Sequence, residues 1–157
     1  MKSTRPGLLL WLMGAMLALG TSLSSCTEID SDDNSYRVNA TLSGAQERPV
    51  PVSTPGTGTV TGSYNNINKR LFYTITWSGL TANVIAMHFH GPAGPEEVAP
   101  PVIGIMGFPP SPSGTISGNV VLTADQENQL LNGQWYFNIH TPTYPGGEIR
   151  GQVVAAQ

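Results

Sequence analysis

The chain has a single cysteine, Cys26, in 157 residues. One thiol cannot close an intramolecular disulfide, so packing and hydrogen bonds must hold the fold. Charge is scarce too. Asp, Glu, Lys and Arg make up 11% of the residues, with 7 basic side chains against 10 acidic ones. No basic patch is available to neutralise phosphates, which argues against nucleic-acid binding. No Gly-x-Ser-x-Gly elbow occurs, and spacing ties no serine to a particular His and Asp, so no hydrolase signature is present. The Gly-rich run Thr57 to Gly62 contains no lysine and reads as strand rather than as a phosphate loop. There is one long apolar run, Leu8 to Gly20, and there are three histidines, His88, His90 and His140.

The apolar run is shorter than the roughly 20 residues a membrane-spanning helix needs. Lys2 and Arg5 precede it, which makes it a secretory signal. It ends Leu23-Ser24-Ser25-Cys26, which resembles the lipobox of bacterial lipoproteins. The resemblance implies that residues 1–25 are removed and that Cys26 is acylated. The protein would then be held in the bacterial cell envelope, at the outer membrane, because two or more acyl chains anchor stably. Residues 26–35 contain Glu28, Asp30, Asp32 and Asp33 and almost nothing apolar, so they read as an acidic tether.

Residues 36–157 suit one domain with one core. Turn signals recur about every ten residues, the spacing of an all-β sandwich or barrel. Strands are expected at 36–42, 58–64, 71–77, 84–90, 101–106, 115–122, 134–140 and 148–154. In the clearest of them Leu71, Tyr73, Ile75 and Trp77 share a face. Trp77, Trp135 and Phe137 read as core. One short helix is expected over 124–132, with Thr123 as N-cap, Gln126 completing a capping box and Gly133 just past the end. Prolines cluster at 49–55, 92–101 and 109–112, marking loops or edges. Gly146-Gly147 supplies a positive φ before the last strand. The expected fold is therefore a single antiparallel β-sandwich of about eight strands with one short helix, preceded by a lipoprotein signal peptide.

Side chains two apart on a strand point the same way. His88 and His90 share one face, and so do Tyr136, Asn138 and His140. If these strands are neighbours, three imidazoles converge. Two readings follow. The cluster is a buried polar network with Asn138, Glu148 and Arg150, which must be paired internally. Alternatively it is a copper or zinc site, with Glu47, Glu148 or water completing the sphere. Glu148, Arg150 and Gln152 are expected on one face, opposite Ile149 and Val153.

Three blocks resemble the CHRD domain, named after chordin. They are Leu42-Ser43-Gly44-Ala45-Gln46-Glu47-Arg48-Pro49, then Ser78-Gly79-Leu80-Thr81 leading to His88-Phe89-His90-Gly91-Pro92-Ala93, then Tyr136-Phe137-Asn138-Ile139-His140-Thr141 with Pro145-Gly146-Gly147-Glu148-Ile149-Arg150-Gly151-Gln152. They occur in the family's order and span residues 36–154. The resemblance implies an exported β-domain and names no reaction. Gly79-Leu80-Thr81 before a His-x-His strand is also similar to the copper-binding stretch of Cu/Zn superoxide dismutase. That family's zinc histidines, disulfide and loop arginine motif are missing here. Two functions remain open. One is a non-enzymatic, lipid-anchored binding module for an envelope or extracellular protein partner. The other is an envelope protein that holds copper or zinc through three histidines.

Overall fold

The computed structural model describes residues 34–157. The expected signal segment 1–25, Cys26 and the expected tether as far as Asp33 lie outside the described residues, while Ser35, expected at the end of that tether, already belongs to the first strand. The regular structure from there is mostly strand: β1 (Ser35–Ser43), β2 (Thr57–Asn65), β3 (Arg70–Ser78), β4 (Ala86–His90), β5 (Pro101–Gly104), β6 (Gly114–Val121), β7 (Trp135–His140) and β8 (Ile149–Ala156). One helix, α1 (Ala124–Leu131), sits between β6 and β7. Thr123 accepts from the Gln126 amide while the Gln126 side chain reaches back to the Thr123 amide, so the expected capping box forms. Gly133 ends the helix at φ 65.

All eight strands belong to one antiparallel sheet in the order β5-β4-β7-β8-β1-β2-β3-β6. The sheet curls until its two halves face each other, which gives the sandwich. β3 and β4 are far apart in the strand order, yet the Tyr73 and Phe89 ring centroids are 5.8 Å apart. The bend falls where β8 meets β1. Pairing there runs from Arg37–Ala156 to Asn39–Val154, lapses, and resumes at Ser43–Arg150. Gly151 sits in the gap, where a Cβ would stand 2.2 Å from the Thr41 carbonyl oxygen. Only glycine allows two backbones this close.

Leu71, Ile75 and Trp77 of β3 are buried on one face as the alternation requires, while Phe72 on the other is 46% exposed. Phe89 packs edge-on against Phe137 at 4.7 Å and beside Trp135 at 5.7 Å. β7 departs from simple alternation: from Trp135 to Ile139 every residue is buried. Its inner face meets the core. Its outer face is roofed by the loop that follows β4, through Gly91 N to Pro100 O (3.3 Å), Ala93 N to Gln134 O (2.8 Å) and Gln152 Nε2 to Ala93 O (2.9 Å). A polar strand face is thereby taken out of water, and its groups must find partners.

Candidate metal site

β4 pairs with β7 so that His88 faces Asn138, His90 faces Tyr136 and Ala86 faces His140. This register brings the three histidines together. One ring nitrogen from each lies within 4.8 Å of the other two. Ring centroids are 5.5 Å apart for His88–His90, 5.2 Å for His88–His140 and 6.1 Å for His90–His140. A register shift between Phe89 and His90 in the β4–β5 pairing re-aims His90 at the end of its strand.

Backbone carbonyls fix the tautomers. A carbonyl oxygen only accepts, so His90 Nδ1–H donates to Ala99 O at 2.9 Å and His140 Nδ1–H donates to Pro145 O at 3.0 Å. Each ring then turns an Nε2 lone pair into the cluster. His140 Nε2 accepts from His88 Nδ1 at 3.3 Å. His90 Nε2 is buried and has no hydrogen-bond partner. His90 also stacks on Tyr136, with centroids 4.7 Å apart and planes 8° from parallel. The Tyr136 hydroxyl bonds Ala99 O at 3.1 Å, which holds the acceptor that orients His90.

Protons are disfavoured at all three rings. Burial, first of all, pulls the His90 pKa down to about 4, against the Ala99 hydrogen bond and with repulsion from His88, His140 and Arg150. Burial likewise lowers His88, and lowers His140 despite its bond to Pro145. Neutral imidazoles are what a zinc or copper ion requires: His90 and His140 already turn Nε2 lone pairs inward, and His88 offers its Nδ1 lone pair once its ring proton moves to Nε2. The nitrogen–carbonyl bonds behind His90 and His140 are the usual support of a metal-bound histidine; His88 has no such carbonyl partner among its hydrogen bonds.

The carboxylates go elsewhere. Glu148 is fully buried and accepts four hydrogen bonds: from Thr54 Oγ1 (2.6 Å), Thr81 N (2.8 Å), Thr81 Oγ1 (2.9 Å) and Thr141 Oγ1 (2.7 Å). Burial pushes its pKa up, but these donors outweigh that and hold it below the ordinary value. It is thus neither a ligand nor a partner of Arg150. Glu148 precedes β8 rather than lying within it, so the alternation that put it on the Arg150 face does not apply. Arg150 places its guanidinium 3.5 Å from the Tyr136 ring centre and donates to the carbonyls of Gly94, Pro95 and Glu97.

Glu47 also stays outside the ligand group. It accepts from Asn138 Nδ2 at 3.3 Å, and its Oε1 has no partner. Burial raises its pKa to about 7, exceeding the pull of Arg150, Asn138 and Arg48. The backbone of Gly147, at φ 134, closes over this pair: a Cβ there would come within 2.7 Å of both side chains. The expected polar network therefore divides into an Asn138–Glu47 pair, a Glu148–threonine cluster and an Arg150–Tyr136 stack. The threonines and the two orienting carbonyls carry no sequence signal. Loop closure brings them in.

The model of the CHRD domain family matches residues 38–153. The chain belongs to the CHRD domain family. No curated protein and no solved structure matches it significantly. The CHRD match covers all eight strands wholly or in part and contains the three histidines together with Glu47, Asn138, Glu148 and Arg150.

Proposed function

We propose that this CHRD domain is a non-enzymatic metal-binding module of the bacterial cell envelope, tethered by a lipid on Cys26. It holds one zinc or copper ion through His88 Nδ1, His90 Nε2 and His140 Nε2. The observation that carries the reading is the buried, unpartnered lone pair of His90 Nε2, turned toward two other ring nitrogens. An unpaired buried acceptor costs on the order of 1–3 kcal/mol, and a cation removes that cost. On binding, His88 takes its Nε2–H tautomer and gives up its bond to His140. Three protein ligands leave a fourth position open.

The test uses the full-length protein purified in detergent, stripped of metal and reloaded with one equivalent of zinc or copper. Retained metal should be close to stoichiometric, and the melting temperature should fall on adding chelator. At a metal concentration 100 times Kd the stabilisation is about 2.7 kcal/mol. His88→Ala, His90→Ala and His140→Ala should each abolish retention. An unchanged melting curve with chelator after loading would refute the site.

A partner-binding module is the second reading. It is favoured by Val50 (72% exposed) and Val98 (61% exposed), on two proline-rich loops that Arg48 and Glu96 clasp with bonds of 2.7 and 2.8 Å. In that reading the histidines only support the loops, and chelator has no effect.

A further inference from the structure

Among the described residues there are two thioethers, Met87 and Met106. Met87 is buried in the core, whereas Met106 is 85% exposed. Register places Met106 beside the histidine cluster. His88 faces Gly104 on β5. The Ile105 amide then donates to Met87 O at 3.1 Å, so the ladder continues past the end of β5. The same count sets Met106 opposite Ala86. Ala86 in turn pairs with His140 on its other side. Met106 and His140 therefore flank Ala86, and His88 stands one pleat away, diagonal to both. Gly104 and Ala86 are small, so no bulky side chain stands between Met106 and the imidazoles. Met106 and His88 also line one cavity of about 220 Å3, with Ala86, Gly104, Ile105 and Phe108 around it.

We infer that the Met106 thioether is the fourth ligand of the three-imidazole site and that it makes the site select Cu(I) over zinc. The inference rests on the three-imidazole reading and adds the identity of the ion. A thioether is a soft, uncharged donor. It suits Cu(I) and adds little for zinc, which prefers thiolate, imidazole or carboxylate. Methionine is unbranched and has three rotatable bonds, so Met106 can swing across Ala86 from its exposed position at little cost. The ion is taken up and released as Cu(I), with no electron transfer in the step.

The experiment titrates full-length protein in detergent, without oxygen, with Cu(I) against a chromophoric Cu(I) chelator. Zinc is titrated in parallel, and wild type, Met106→Leu and His90→Ala are compared. Met106→Leu replaces an exposed side chain with one of similar size and should leave the circular dichroism unchanged. Its Cu(I) affinity should fall about tenfold or more, equivalent to about 1.4 kcal/mol, while zinc affinity stays the same. X-ray absorption at the copper edge should show a sulfur neighbour in wild type that is lost in Met106→Leu. Equal Cu(I) affinity in wild type and Met106→Leu, with both ions lost in His90→Ala, overturns the Met106 inference alone. Failure of wild type to bind either ion overturns the three-imidazole reading and this inference together.

Discussion

Glutamine in place of Glu47 removes one of two buried groups whose titrations oppose each other. The His90 pKa falls from 6.5 to about 4 on folding, and the Glu47 pKa rises from 4.5 to about 7. A depressed histidine contributes stability that is present above pH 6.5 and is lost as pH falls through about 4. A raised carboxyl contributes stability that is present below pH 4.5 and is lost as pH rises through about 7. Between pH 4.5 and 6.5 the two slopes have opposite sign. Each displacement spans about 2.5 pH units, so at about 1.36 kcal/mol per unit the ceiling is about 3 kcal/mol apiece. Water at the half-buried His88 and His140 edge screens part of this, leaving about 1–2 kcal/mol for each group. Metal-free wild type should therefore change little in stability from this pair across that window. Glu47→Gln should lose about 1–2 kcal/mol relative to wild type between pH 6.5 and 4.5, because the His90 slope is then unopposed. Urea denaturation with chelator present, at pH 7.0, 6.0, 5.0 and 4.5, measures it. Differencing variant against wild type cancels the carboxylates common to both. Parallel pH profiles for the two proteins would show that Glu47 is not held protonated, and the linkage argument would fail.

Glu148→Ala should destabilise by about 4 kcal/mol in urea titrations, since it strands four donors in a buried cluster, while Glu148→Gln, which keeps one acceptor oxygen, should cost about half as much. Equal losses would mean the charge and its donor count are irrelevant. Gly151→Ala should cost about 3 kcal/mol in the same assay, because its Cβ would lie 2.2 Å from Thr41 O at the bend between the sheet halves. A neutral result would show that β1 and β8 can part there freely. Cys26→Ser should leave the detergent phase for the aqueous phase, whereas wild type partitions into detergent. Identical partitioning would remove the lipid anchor.

Strand by strand, alternation and turn chemistry were enough to read the strands and the fold class. Leu71-Phe72-Tyr73-Thr74-Ile75-Thr76-Trp77 declares its buried face because each side chain obeys the period of two. Thr123 and Gln126 declare the helix start because both partners of the capping box are local. β7 is harder to read. It is buried on both faces, and its outer face is covered by the loop after β4, which is held by Ala93 N to Gln134 O and Gln152 Nε2 to Ala93 O. Glu148 misled for a related reason: the strand begins one residue later, so the carboxylate turns toward Thr54, Thr81 and Thr141 instead of Arg150.

The sequence by itself determined the strands, the capped helix and the shared face of His88 and His90, all of which follow from neighbours a few residues apart. Only the tertiary structure decided that His140 joins them, that Glu47 and Glu148 do not, and that Met106 stands beside Ala86. Those placements depend on which strand lies next to which and in what register, and strand register is set by contacts between residues tens of positions apart.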